Sequence, residues 1–125
     1  MRSHLAQAYL ERYNSFDWEL TAWACIGSMR EELIYRLGLM TLLVALPAAW
    51  GKSAGPAWIT AAIVVSQFCN IGSLAWAMPP WGILRYWAVG CVWGWLYWRH
   101  GFASAFIGHG TAHLLLDPLL AVALG

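Results

Sequence analysis

Charged side chains are scarce in this sequence. Only 10% of its 125 residues are charged, 61% are hydrophobic, and the formal net charge is +1. An ordinary soluble domain of this length could not bury so much apolar surface, which excludes that class. The few lysines and arginines are scattered, which also excludes a nucleic-acid-binding surface. The composition therefore indicates a protein whose main partner is a lipid bilayer.

Several signatures of catalytic and redox sites are also absent. The sequence has no His-Glu-x-x-His motif and no Gly-x-Ser-x-Gly elbow, which argues against a zinc peptidase and a serine hydrolase. A carboxylate from another helix could still complete a metal site, but we predict none. The three cysteines form no Cys-x-x-Cys pair and lie in apolar runs, where a free cysteine behaves as a small hydrophobe.

Long apolar runs predict an all-α membrane protein with about four transmembrane helices. One crossing takes roughly 20 residues, so four crossings take about 80. Tryptophans flank the turns between the runs, as in an aromatic belt at the membrane surface. We expect a multi-pass protein of a bacterial inner membrane. Its crossings would run from Glu32 or Leu33 to Trp50, from Ala57 to Ala77, from Trp81 to Trp98 and from Phe102 to Leu124.

The chain divides by composition into two parts. Residues 1–29 mix polar and apolar side chains, which predicts an amphipathic helix lying along the membrane surface. Residues 30–125 form the four-helix core. Gly90 and Gly94 make a Gly-x-x-x-Gly pair in the third crossing, which would let another helix approach closely. We expect a partner of a larger membrane complex to contact this face.

Ionisable residues at the start of the first crossing need an explanation. A charge at mid-membrane costs at least about 2.5–3.5 kcal/mol, so each needs a partner or a polar cavity. Glu32 and Arg36 are four residues apart, a spacing that favours a helical ion pair. Glu31 is then left without a local partner. Two interpretations are open: these residues either lie at the membrane-surface end of a helix without a further role, or they belong to a functional site.

The fourth crossing carries a second ionisable group. His109, His113 and Asp117 follow one another at intervals of four, which places them on one helix face. Two histidines and an aspartate on one stripe favour a functional site over packing. A third group of polar residues is typical of contacts between membrane helices. It consists of Ser66, Gln67 and Asn70 of the second crossing and Arg85 of the third. A carboxylate of one helix facing a histidine of another is sufficient to activate water without a cofactor.

The order of these motifs resembles that of a known family. Glu31 to Arg36 reads Glu-Glu-Leu-Ile-Tyr-Arg, Gly94 to Gly101 reads Gly-Trp-Leu-Tyr-Trp-Arg-His-Gly, and His109 follows. The sequence resembles the CPBP family of intramembrane proteases, which includes the CAAX prenyl endopeptidases, over roughly residues 30–120. The resemblance implies a four-helix core and a glutamic endopeptidase that cleaves a membrane-bound peptide or protein.

The resemblance also implies roles for individual residues. Glu31 would be the base and His109 the oxyanion donor, with His113 where the family has Asn or Asp. Glu32 and Arg36 would be the structural pair of the motif. We also expect a structural role for Asp117, from its place on the same helix face as the two histidines. The family's histidine on the second core helix has no counterpart, since no histidine occurs between His4 and His100. The nearest polar residue there is Asn70, which leaves two interpretations open, an active site and a degenerate one.

A different class of function fits the same observations. The missing histidine, the small size and the ten tryptophans also favour a non-catalytic membrane subunit. Such a subunit would pack against partners, or bind a pigment or haem through His109 or His113.

Overall fold

The computed structural model describes residues 17–72 and 80–124. Of these residues 93% are helical, and no strand occurs among them. They form four helices, which we name α1 (Trp18–Trp50), α2 (Pro56–Gly72), α3 (Pro80–His100) and α4 (Phe102–Leu124). The predicted all-α fold is confirmed.

Helix α1 changes its winding along its length. Asp17 caps its start, because the Asp17 carboxylate accepts a hydrogen bond from the Glu19 backbone amide at 2.8 Å, satisfying one donor that the helix leaves open. The chain is α-helical over Trp18–Glu31, π-helical over Glu32–Met40, α-helical over Thr41–Ala45 and 3-10 helical over Leu46–Trp50. The wider π-helical turns, which often occur at functional sites, carry Glu32 and Arg36 into the interior.

Proline and glycine set where the helices stop. Pro47 lies in the final 3-10 turn of α1, and Gly51 follows with a φ of 66°. Gly101 has a φ of 84°, and its backbone amide donates to the Tyr97 carbonyl at 2.9 Å. Both glycines adopt the left-handed conformation that commonly ends a helix and that other residues avoid. Pro56 opens α2 at a first-turn position, where proline is tolerated.

The four helices surround a polar interior. Helix α1 packs against α4 and α2, and α3 packs against α2 and α4. Among the described residues the largest fully buried side chains are Arg36, Met40, Glu32 and Ser66. Many large apolar side chains, in contrast, face outward, among them Leu42 at 67% exposure and Val122 at 85%. The arrangement places charge inside and apolar surface outside.

Helix length and composition single out one membrane-crossing candidate in the described ranges. Helix α1 has 33 residues, and only 11% of its most apolar stretch is buried. Helix α2 (Pro56–Gly72) and the stretch Phe102–Leu116 of α4 are shorter apolar helical segments. The prediction of four crossings remains a prediction. Helix α1 also continues without a break past residue 30, where the sequence predicts the interfacial segment to end, and residues 1–16 of that segment lie outside the described residues.

Candidate active site

Two adjacent glutamates of α1 contact two different helices. Glu31 and Glu32 lie where the α-helical part of α1 meets its π-helical part. The Glu31 carboxylate meets α2, and the Glu32 carboxylate meets α4. Successive side chains of a helix point in different directions, so a pair of neighbouring acids can hold two partners at once.

Glu31 is held by an amide. Asn70 is buried, and its Nδ2 donates to Glu31 Oε2 at 3.1 Å. Asn70 stands where the family resemblance calls for a histidine. An amide donor orients a carboxylate, but it cannot take up a proton as an imidazole does. Proton uptake at this end of the site therefore depends on Glu31.

Glu32 forms a closer contact with His109 than with Arg36. Its Oε1 lies 2.9 Å from His109 Nδ1 and 3.7 Å from Arg36 Nε, and its side chain is 0% exposed. Because an ionised carboxylate only accepts hydrogen bonds, we assign the proton to Nδ1. The predicted Glu32 and Arg36 ion pair is present, but π-helical winding displaces side chains four apart from direct stacking. Sequence reasoning missed the bond to His109.

Aromatic rings fix the plane of His109. The His109 ring stacks on Trp93 with 5.5 Å between centroids and 17° between planes, and on His113 with 5.4 Å and 29°. Gly108 makes room for this stack, since an added Cβ would lie 3.0 Å from the Trp93 ring. The hydrogen bond to Glu32 and the Trp93 face together leave little rotational freedom to the imidazole.

The four predicted catalytic side chains line one cavity. Its volume is about 200 Å³, and every one of the four helices contributes to its wall. The buried Arg36 Nη1 and Trp93 Nε1 atoms, on residues of this wall, have no hydrogen-bond partner in the described structure. Glu31, Asn70, His109 and His113 share the wall with Arg36, Gln67, Ile71, Arg85, Tyr86, Val89, Gly90, Trp93, Ala112 and Leu116.

Gly90 and Gly94 allow α3 to pack closely against α2 of the same chain. A Cβ on Gly90 would overlap the side-chain amide of Gln67, and one on Gly94 would lie 2.8 Å from Ile63 Cγ2. The close approach predicted from the Gly-x-x-x-Gly spacing thus occurs between α3 and α2. Contact of this part of α3 with a partner protein stays a prediction.

Two further predictions concern Asp117 and metal binding. Helix α4 continues through Asp117 and Pro118, but the Asp117 side chain is outside the part of the chain that the structure describes. Within that part, no group of three or more His, Cys, Asp or Glu side chains is placed to hold a metal ion.

Comparison with known proteins identifies the family of the chain. Residues 14–115 match the family described as Type II CAAX prenyl endopeptidase Rce1-like. The chain belongs to that family. No curated protein and no solved structure is significantly similar to it. The matched range contains both glutamates, Asn70, His109 and His113, while Asp117 lies beyond it. Rce1-like proteins are membrane-associated, and membership supports a CAAX protease-type function.

Proposed function

We propose that this chain is a glutamic intramembrane endopeptidase of the CAAX protease type, which hydrolyses a peptide bond in a membrane-associated peptide. The observation that carries the proposal is the convergence of Glu31, Asn70, His109 and His113 on one cavity. These residues come from α1, α2 and α4, so no local feature of the sequence brings them together. The proposal is supported by the family match over residues 14–115.

Glu31 is the general base in this proposal. Asn70 holds its Oε2 at 3.1 Å, which leaves Oε1 to accept a proton from a water molecule in the cavity. The water oxygen then attacks the peptide carbonyl carbon, and the carbonyl oxygen becomes an oxyanion. The protonated Glu31 returns its proton to the amine as the carbon–nitrogen bond breaks.

His109 stabilises the oxyanion as an imidazolium. Its Nδ1–H is committed to Glu32, so a neutral ring would present a lone pair at Nε2 and repel the oxyanion. In the imidazolium form the Nε2–H is free to donate a hydrogen bond to the oxyanion. His113, stacked against His109, can supply a further hydrogen bond from the same wall.

The distribution of polar and apolar side chains supports several membrane crossings. In lipid, a polar interior is sheltered by helices whose apolar faces meet the hydrocarbon. Glu32 and Arg36 are 0% and 1% exposed, while apolar side chains of all four helices face outward. We propose that the chain crosses the membrane about four times and that the cavity opens to a peptide lying in or on the bilayer.

Replacement of the base tests the function. In bicelles containing a fluorescence-quenched prenylated CAAX peptide, Glu31→Gln should lose at least about 10²–10⁴-fold in cleavage rate, the usual contribution of a general base. Glu19→Gln is the matched control, because Glu19 is an exposed acid of the same helix; its rate should be unchanged. Full activity in Glu31→Gln would end the proposal.

The alternative of a pigment-binding or haem-binding subunit stays a prediction. The cavity of about 200 Å³ is smaller than the roughly 300–1,000 Å³ of usual small-molecule sites, which places this alternative second. Visible-region absorbance of the purified protein that His109→Ala removes would favour it.

A further inference from the structure

Arg85 of α3 places a positive charge in the wall of the cavity. It shares this wall with Glu31, Asn70 and His109, and its side chain is partly exposed. An arginine side chain stays charged in proteins. The water attack at Glu31 and the oxyanion at His109 do not use this charge. A charge among membrane helices is costly and commonly marks the path of a substrate, so Arg85 needs a partner in the function of the cavity.

Arg36, another arginine of this wall, is bonded within the chain. Its side chain is 1% exposed. Its Nη2 donates to Gln67 Oε1 and to the Gly90 carbonyl, and its Nε lies 3.7 Å from Glu32 Oε1. Of the two arginines, Arg85 is therefore the one that an incoming group can reach.

The chemistry of the Arg85 side chain favours a carboxylate as that group. Its Cζ lies 5.1 Å from the centroid of the Tyr86 ring, and Tyr86 lines the cavity as well. A cation over an aromatic face is attracted to the ring, which holds the guanidinium at the wall. A guanidinium has five N–H donors in a fixed fork, so it can bind both oxygens of a carboxylate and keep contacts to its own chain.

The spacing along α3 sets the distance between this charge and the candidate reaction centre. Trp93, whose ring stacks on His109, follows Arg85 by eight positions on the same helix. These positions separate the two residues by about 12 Å along the helix axis. An extended peptide covers that distance with roughly three or four residues. A carboxylate at Arg85 would therefore lie a few residues from the bond that is cleaved.

The size of the cavity favours the end of a peptide over a chain that continues. The cavity volume is about 200 Å³, below the roughly 300–1,000 Å³ of usual small-molecule sites. Ile71, Val89 and Leu116 give the wall apolar side chains, which suit the apolar residues of a membrane-associated peptide. The terminal carboxylate is the negative group that a peptide carries at such an end.

We propose that Arg85 is a specificity-determining residue that binds the terminal carboxylate of the peptide substrate. Its guanidinium donates two hydrogen bonds to the carboxylate and so places a bond near the carboxyl end beside Glu31 and His109. The inference rests on the proposed function, because the peptide is the substrate of that reaction. It adds a preference for a charged end to the cleavage itself.

Two quenched prenylated CAAX peptides that differ only in their last group test this role. One ends in a free carboxylate, and the other ends in a primary amide, which has a similar shape but no charge. In bicelles the unsubstituted protein should cleave the acid with a kcat/KM about 10–100-fold higher, as expected for hydrogen bonds to a charged group. Arg85→Met should cleave the two peptides at similar rates, because the acid loses its partner. Arg85→Lys keeps the charge but not the fork, so its preference should be intermediate.

Arg99→Met is the matched control for these variants. Arg99 is an exposed arginine in the last turn of the same helix, and it lies outside the cavity wall. The Arg99→Met protein should keep the full preference for the acid, because its substitution removes a charge without changing the cavity.

A purely structural role of Arg85 would give a different result. Arg85→Met would then slow the cleavage of both peptides by the same factor, and the retained preference would overturn the proposal. If Arg85→Met fails to fold by circular dichroism, Arg85→Lys decides, and an undiminished preference in that variant refutes the role.

Failure of this inference and failure of the proposed function give different results. Equal cleavage of the acid and the amide by the unsubstituted protein would overturn the role of Arg85 and leave the proposed function in place. Fluorescence anisotropy of the same peptides measures binding without cleavage. Tighter binding of the acid that Arg85→Met removes supports the role even where Glu31→Gln proves active, and equal binding of the two peptides overturns it.

Discussion

Removing the charge of Arg36 tests whether compensated charges hold the interior together. Glu32 and Arg36 are 0% and 1% exposed, and Arg36 donates to Gln67 and to the Gly90 carbonyl. Arg36→Met would leave the Glu32 carboxylate buried without a cationic partner from its own helix and would remove both hydrogen bonds. Breaking a buried pair from one side costs about 3–5 kcal/mol, which is a large part of a typical folding free energy of about 5–15 kcal/mol.

The double substitution Glu32→Gln/Arg36→Met should recover much of that loss. Glu32 Oε2 and Arg36 Nη1 have no hydrogen-bond partner among the described residues, so the pair is incompletely satisfied, and removing both charges leaves no buried ion. We expect the double variant to be more stable than Arg36→Met by about 2 kcal/mol. Glutamine at position 32 can still accept a hydrogen bond from His109.

Denaturant titration in mixed micelles, followed by tryptophan fluorescence, measures these free energies of unfolding. Arg30→Met is the control, because Arg30 is an exposed residue on the same helix and surface changes have small effects. An Arg36→Met protein within about 1 kcal/mol of the unsubstituted one would refute the reasoning, since a broken buried pair costs more. A double variant no more stable than the single one would refute it equally.

Three further predictions follow from individual contacts. Gly90→Ala should destabilise the fold in the same denaturant assay, because its Cβ would overlap a buried amide of α2, whereas Gly110→Ala, with nothing within 4 Å of its Cβ, should not. Asn70→His should raise the cleavage rate by restoring the second proton acceptor beside the candidate base; an unchanged or lower rate would show that the amide is the better partner. Single cysteines replacing Lys52 and Arg99 in a background lacking the native cysteines should react with a membrane-impermeant maleimide from the same side of the membrane, and labelling from opposite sides would contradict four crossings.

Much of the helical fold could be predicted from the sequence, because it depends on local properties. The predicted fourth helix, Phe102 to Leu124, has the observed bounds, because Gly101 ends the preceding helix. The predicted third helix differs from Pro80–His100 by one or two residues at each end. The predicted first crossing, from Glu32 or Leu33 to Trp50, ends where α1 ends, and the backbone ladder of α1 continues back to Trp18 without a break at the change of polarity near residue 30.

Residue spacing alone predicted only the part of the candidate site that lies on one helix, and the grouping of Glu31, Asn70 and His109 came from the family resemblance. The interval of four between His109 and His113 places them on one face of any helix, and their rings do stack. The partners of Glu32 and Arg36 on α2, α3 and α4 carried no local signal. Gln67 has the sequence pattern of an ordinary polar contact between helices, and no local pattern indicates that its amide lies against Gly90.

The sequence alone shows that charged residues are few and lie among apolar ones. This determines that any charged side chain buried in the protein needs a polar or oppositely charged partner. A bilayer or an apolar interior solvates ions poorly, so each buried charge needs a partner. Which partner it meets was decided only by the tertiary structure. The packing of α2 and α4 around α1 brings one of two adjacent carboxylates to Asn70 and the other to His109. Their positions depend on helix contacts between residues 39 and 77 positions apart in the sequence, which no local pattern encodes.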